Sequence, residues 1–205
     1  MKILSIATYI FIVFFSGLLN AKDYMGFKYE AAYVDWNKIE GIDLDEILST
    51  NINLADFHYG REFNNNYGEI GVFVSDSANR SHSANSILGD SLIHFTLDST
   101  HTLMGVRAGG GSKFAITDNL YFSANGNLRY VEQEVEIKNA TIKGSSTWKS
   151  KVNGTETGAT VDAGIGLDYN SGENANLFVQ VNGYLSPIGD IDSMGSANVG
   201  LNIKF

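Results

Sequence analysis

Asn198-Val199-Gly200-Leu201-Asn202-Ile203-Lys204-Phe205 close the chain in strict polar and apolar alternation. Side chains cross a β-strand with a period of two, so Val199, Leu201, Ile203 and Phe205 share one face of a strand that runs to the last residue. The same alternation recurs upstream. It predicts strands at about Tyr24 to Trp36, Leu54 to Phe63, Tyr67 to Asp76, Thr102 to Phe114, Leu120 to Ile137, Thr157 to Tyr169, Ala175 to Leu185 and Met194 to Phe205.

Eight amphipathic strands need something to bury against, and the connections indicate what. Short turns at Asn64-Asn65-Asn66, Ala115 to Asn119 and Ser171-Gly172-Glu173-Asn174 alternate with longer segments at Asn37 to Asn53, Ser77 to His101, Lys138 to Glu156 and Ser186 to Ser193. That alternation is the plan of a membrane barrel with short periplasmic turns and long external loops. Lys2, an apolar run from Ile3 to Leu19 and polar sequence from Asn20 onward have the layout of a secretory leader, with cleavage expected after Ala21. Beyond it no apolar run is long enough for a spanning helix, so a membrane is crossed only by a closed barrel. The expected architecture is therefore all-β: a signal peptide over 1–21, then an eight-stranded antiparallel up-and-down transmembrane β-barrel over 22–205.

The faces separate this barrel from a soluble one. In the sixth strand Ala159, Val161, Ala163, Ile165 and Leu167 oppose Gly158, Thr160, Asp162, Gly164, Gly166 and Asp168. A solvated exterior would carry dense Lys and Glu, whereas a face of Gly, Asn, Ser and scattered charges suits a crowded lumen. In the fifth strand the apolar parity through Leu128 and Tyr130 turns into Glu132, Glu134 and Glu136, which marks Tyr130 as an interfacial aromatic and sends the strand on into water. Lys149 and Lys151 sit on the facing strand, so a projecting hairpin with Glu/Lys contacts is expected. Without the leader the chain carries 13 basic and 23 acidic residues, a net charge of −10, which argues against nucleic acid as a partner. With no cysteine, disulfides and thiolate metal sites do not arise.

At the carboxy terminus the pattern polar-x-Gly-x-x-apolar-x-aromatic, carried by Gly200, Ile203 and Phe205, resembles the assembly signal of bacterial outer-membrane barrels. Together with the eight-strand plan and the hairpin from Tyr59-Gly60-Arg61-Glu62-Phe63-Asn64 to Tyr67-Gly68-Glu69-Ile70-Gly71, it resembles the small outer-membrane barrels of the opacity-protein and outer-membrane-protein-A type. The resemblance implies the outer membrane of a Gram-negative envelope, with both mature termini periplasmic. It also implies lipid, lipopolysaccharide and the barrel assembly machinery as partners, but no particular ligand.

Candidate sites outside the lumen are weak. Arg80-Ser81-His82-Ser83-Ala84-Asn85 superficially resembles the His/Ser pairing of outer-membrane lipid A deacylases, but falls in a Ser/Asn-rich external segment and reads as solvated loop. His82, His94 and His101 share that segment with Asp90 and Asp98 at spacings that match no compact metal motif. Leu92 to Leu97 also alternates and reads as an upward extension of the fourth strand. The glycines of Gly105-Val106-Arg107-Ala108-Gly109-Gly110-Gly111-Ser112-Lys113 lack phosphate-loop spacing and read as room for neighbouring side chains. Loop acids Glu40, Asp43, Asp45 and Glu46 and loop lysines Lys138, Lys143, Lys149 and Lys151 form opposite patches suited to lipopolysaccharide or protein contact. Neither a metal nor another cofactor is expected.

The strongest site is the lumen itself. Glu30, Asp56, Arg107, Arg129 and Asp162 all have lumen parity, and an eight-stranded barrel is only wide enough to be filled by its own side chains. Buried charges there must pair, so a central network in which both arginines meet the three carboxylates is expected to plug the barrel. The functional expectation is a non-enzymatic outer-membrane protein with a structural or surface-interaction role in its external loops, toward a surface ligand or host protein. The alternative is a narrow porin-like channel for ions or small solutes.

Overall fold

In lipid every backbone N–H and C=O must find a partner within the protein, so amphipathic strands are stable there only as a ring without edges. The computed structural model describes residues 21–36, 38–39, 42–43, 45, 47–88, 91–143, 146–185 and 191–205. Apart from Ala21, the expected leader lies outside the described residues, as do Glu40, Glu46, Asp90 and residues 186–190 of the fourth external segment. The strands are β1 Ala21–Trp36, β2 Lys38–Ile39, β3 Ile42–Asp43, β4 Asn51–Phe63, β5 Asn66–Ser75, β6 Ala78–Leu88, β7 Ser91–Ala115, β8 Leu120–Lys143, β9 Ser146–Asn170, β10 Ala175–Tyr184 and β11 Ile191–Lys204. Eight of them, β1, β4, β5, β7, β8, β9, β10 and β11, pair in that order as an antiparallel ring that β11 closes on β1. The short turns fall where turn residues stand, with Asn64 at φ 55° and Gly172 at φ 81°.

The wall has the expected sidedness. Phe27 and Tyr29 of β1, Phe57 of β4, Val72 of β5, Ile165 of β9 and Val179 of β10 all point outward and are exposed. From Leu120 to Tyr130 the outward parity of β8 spans about 33 Å along the strand. At a tilt of about 40° that is roughly the 25 Å height of a membrane barrel's apolar band. Glu132 and Glu134 are exposed immediately beyond it.

The expected projecting hairpin and the extension of the fourth strand through Leu92 to Leu97 are present, and Arg80 to Asn85, expected as solvated loop, is strand as well. Ser77 to His101 folds as β6 and the upper part of β7, and Arg80 to Asn85 lies within β6. Lys138 to Glu156 continues β8 and β9 upward. The result is a four-stranded sheet, β6-β7-β8-β9, standing above the rest of the barrel. Over Arg80 to Asn85 both faces of β6 are hydrophilic, so alternation of hydrophobicity gave no signal there, although each of these residues pairs with β7.

The lumen has two storeys. Its centre and the half nearer the chain termini hold Lys28, Glu30, Asp56, His58, Arg107, Lys113, Arg129 and Asp162, all buried. Above them Ala32, Val34, Trp36, Leu48, Ile52, Leu54, Phe73, Leu103, Val131 and Met194 form an apolar cluster toward the mouth opposite the termini.

Candidate functional site: a plugged lumen beneath a projecting sheet

Arg107 of β7 and Arg129 of β8 stand directly opposite each other in register, both facing inward. Two guanidinium groups so placed repel, and each turns away to its own pair of carboxylates. Arg107 makes a two-pronged contact with Asp56 of β4, Nε to Oδ2 at 2.5 Å and Nη2 to Oδ1 at 2.9 Å, and its Nη1 donates to Glu69 of β5. Arg129 donates from Nε to Asp162 Oδ2 at 2.6 Å and from Nη2 to Glu30 Oε2 at 3.1 Å. Its guanidinium lies 5.3 Å from the centre of the Phe73 ring and 4.9 Å from that of Tyr184. The aromatic faces stabilise the cation from sides where no carboxylate reaches.

Neutral groups join the two clusters. Asn127 accepts from Arg107 Nη1 at 3.2 Å and donates from Nδ2 to Asp162 Oδ1 at 2.8 Å, and Asn182 donates to the same oxygen at 3.0 Å. The Tyr184 hydroxyl donates to Glu30 Oε1 at 2.5 Å, with Lys28 Nζ 3.6 Å from Oε2 of the same carboxylate. His58 spans Asp56 Oδ1 at 2.9 Å and Asn202 Oδ1 at 2.8 Å. Nearer the chain termini Lys113 lies 3.3 Å from Asp168 and 3.6 Å from Glu62, whose other oxygen is 2.7 Å from Lys204.

All five sequence-picked lumen residues thus lie within one bonded network. Arg107 meets Asp56 alone among the three picked carboxylates, and Arg129 meets Glu30 and Asp162. Glu69, Lys28, His58, Asn127 and Tyr184 were not picked. Strand parity places all five in the lumen, with Lys28, His58 and Asn127 two residues from Glu30, Asp56 and Arg129, but it does not show which lumen side chains touch. The glycines beside Arg107 have the expected use: a Cβ at Gly109 would meet Asn127 Oδ1 at 2.1 Å, and one at Gly105 the Phe73 ring at 2.7 Å. Gly200 of the carboxy-terminal pattern lies beneath the Phe178 ring, where a Cβ would be 2.2 Å from Cζ.

Among the described residues the packing holds two small cavities. The cavity between the network and the apolar cluster, lined by Leu54, Phe73, Arg129, Gln133, Thr160 and Met194 among others, is about 20 Å³. That beside Lys28, Lys113 and Asp168 is about 10 Å³. Such spaces are of the size of single water molecules.

Above the membrane, β6 separates the serines from the histidine of the Arg80 to Asn85 segment. Ser81 points outward and donates to Asp98 at 2.6 Å, while His82 lies on the opposite face. His94 faces outward against Asn85, whereas His101 is buried inward, so the three histidines do not converge. Among the described residues no three His, Asp or Glu groups gather as a metal site. On the outer face of the β8–β9 hairpin, Lys138 and Lys151 stand opposite each other and clamp Glu136, at 2.6 and 2.5 Å. Hydrogen bonds from Lys138 and then Lys151 hold the Glu136 carboxyl below its ordinary range.

A closed ring of eight antiparallel strands with an apolar outside and a charged, filled inside is the architecture of the small outer-membrane β-barrels. In fold the chain is similar to Ail, the attachment invasion locus protein of Yersinia pestis, in complex with the heparin analogue sucrose octasulfate, at 20% identity and a TM-score of 0.50 over 91% of this chain and 100% of that one. It is likewise similar to Neisserial surface protein A, at 10% identity and a TM-score of 0.50 over the same shares. No family model and no curated protein matches the sequence.

Proposed function

We propose that the chain is a non-enzymatic integral outer-membrane protein whose plugged barrel holds an adhesive sheet above the cell surface. The observation that carries this reading is one-sided pairing of β9. Among the described residues, Ser146–Thr160 bonds to β8 alone, while β10 joins β9 only from Asp162 onward. An unpaired strand edge of that length is a template for an extended segment of a partner protein. Trp148 and Val152, exposed on its inner face, offer apolar contacts, and Lys149 and Lys151 on the outer face favour an acidic partner. The heparin analogue bound by Ail makes a sulfated polysaccharide the first alternative ligand to assay, through Lys138, Lys149 and Lys151.

In this reading the leader 1–21 is cleaved, Gly200, Ile203 and Phe205 serve barrel assembly, both mature termini are periplasmic and the outward belt contacts lipid and lipopolysaccharide. A tag inserted after Ser146 is then labelled on intact cells, and one after Gly172 only when the outer membrane is breached. Deleting Phe205 lowers the amount of folded, heat-modifiable protein. Asn153→Pro, which removes an N–H from the free edge, cuts binding of intact cells to immobilised extracellular-matrix protein several-fold at unchanged folded level. Equal binding by cells with and without the protein refutes the adhesive role. The lumen network and the small cavities support a plug over the porin-like alternative, and large, stable conductance in planar bilayers would reverse that preference.

A further inference from the structure

The extracellular mouth is covered by a short segment of the first external connection, tied down from three strands. Trp36 Nε1 of β1 donates to Ser49 O at 3.1 Å, Arg80 Nη1 of β6 to Leu48 O at 3.2 Å, and Ser99 Oγ of β7 to Ile47 O at 2.5 Å. Beneath this lid His101 has no exposed surface, and its ring meets that of Trp36 edge-on at a centroid distance of 4.8 Å. Neither ring nitrogen has a hydrogen-bond partner among the described residues. A neutral imidazole always carries one N–H donor and one acceptor, so this ring is buried at a cost that leucine or phenylalanine would not incur.

We propose that His101 is an acid-operated latch for the Ile47–Ser49 lid: protonation places an imidazolium in an apolar pocket, and the lid lifts to let water reach it. The site lies outside the membrane, since Met104 and Glu132 pair at the edge of the apolar belt and His101 pairs with Val135 three residues further out. Among the described residues, the groups facing it offer no ready counter-ion. From β1 comes Trp36, with Asp35 on the outward parity. From the lid connection Asp45 accepts from the Trp36 backbone N–H at 3.0 Å. From β6 Ala78 stands opposite the ring, with Arg80 and His82 further along the same face. From β8 come Val135 and, on the same face, Gln133 and Ile137. Below the apolar layer Arg129 is held by Glu30 and Asp162.

Burial alone moves the imidazole from its ordinary 6.5 down to about 4. The closed lid therefore binds fewer protons than the open one. Closure is fully favoured above the ordinary value, weakens about tenfold per pH unit as pH falls from there, and stops weakening below the depressed value. The consequence goes beyond the adhesive role, because it concerns a different part of the surface: in acid the mouth exposes lid carbonyls and apolar side chains that are hidden at neutral pH.

The chain has two tryptophans, so Trp148→Phe leaves Trp36 as the sole reporter of the latch. That variant, folded in lipid vesicles, is titrated from about pH 8 to about pH 3.5 while Trp36 emission and acrylamide quenching are followed. The expected result is a reversible red shift with quenching raised several-fold, its midpoint between the depressed and the ordinary histidine value, at unchanged far-ultraviolet β signal. Adding His101→Phe or His101→Leu should leave the trace flat. A flat trace with His101 present, or the same transition in a folded variant without it, overturns the latch. If neither variant folds, the His101 ring signal followed by NMR in the Trp148→Phe protein decides. Titration coincident with the Trp36 midpoint supports the latch, and titration at the ordinary value with Trp36 unmoved refutes it.

Discussion

The two storeys of the lumen are equally buried and are held by opposite physics. Glu30 and Asp56 below, and Val34 and Ile52 above, each have no exposed surface. Below, every ion loses hydration and is stabilised only by its partners, so removing one partner strands a charge. Above, the apolar cluster resembles the core of a soluble protein, where a loss scales with the volume removed and neighbours relax into the gap. The lower storey should therefore fail abruptly and the upper one by degrees.

Mutations that separate these behaviours rank by size. Arg129→Ala leaves Glu30 and Asp162 without their cation, and should cost about 3 to 5 kcal/mol in urea unfolding from lipid vesicles. Arg107→Ala should be similar, through Asp56 and Glu69. Unchanged stability together with altered ion selectivity in Arg107→Ala would break the comparison and return the lumen to a channel. Tyr184→Phe removes one hydrogen bond to a buried carboxylate and should cost about 1.5 to 3 kcal/mol in the same assay. Ile52→Val, deep in the apolar storey, should cost about 0.5 to 1.5 kcal/mol. Glu136→Gln, on the solvated face of the projecting sheet, should leave the unfolding midpoint where it is.

Much of this was legible in the sequence because a barrel wall has one simple periodicity. Strand parity alone assigned Phe27 to lipid and Arg129 to the lumen, and Glu132 marked the height at which lipid ends. What parity does not carry is depth or side-chain reach. Arg107 and Arg129 share a level, and their choice of carboxylates follows from how far each guanidinium swings toward β4 and β5 or toward β1 and β9. Polar strands were invisible for a related reason: in Arg80 to Asn85 both faces are hydrophilic, so nothing distinguishes a paired strand from a loop. The apolar cap was missed because its members come from separate strands and from the first external connection, and no single stretch of chain displays it.

The direct opposition of Arg107 and Arg129 bears on how the barrel is built. These residues lie on adjacent strands of one hairpin, so their repulsion is present as soon as that hairpin forms. Part of its relief is remote: Arg129 reaches Glu30, 99 residues earlier, and Arg107 reaches Asp56, 51 residues earlier. A half-assembled barrel that has the β7–β8 hairpin but has not brought it alongside the amino-terminal strands keeps two like charges face to face. Asp162 of β9 and Glu69 of β5 reach the arginines from neighbouring strands, whereas Glu30 meets Arg129 only when β1 comes into place, so the finished ring completes the neutralisation and rewards the correct strand order at the end of assembly.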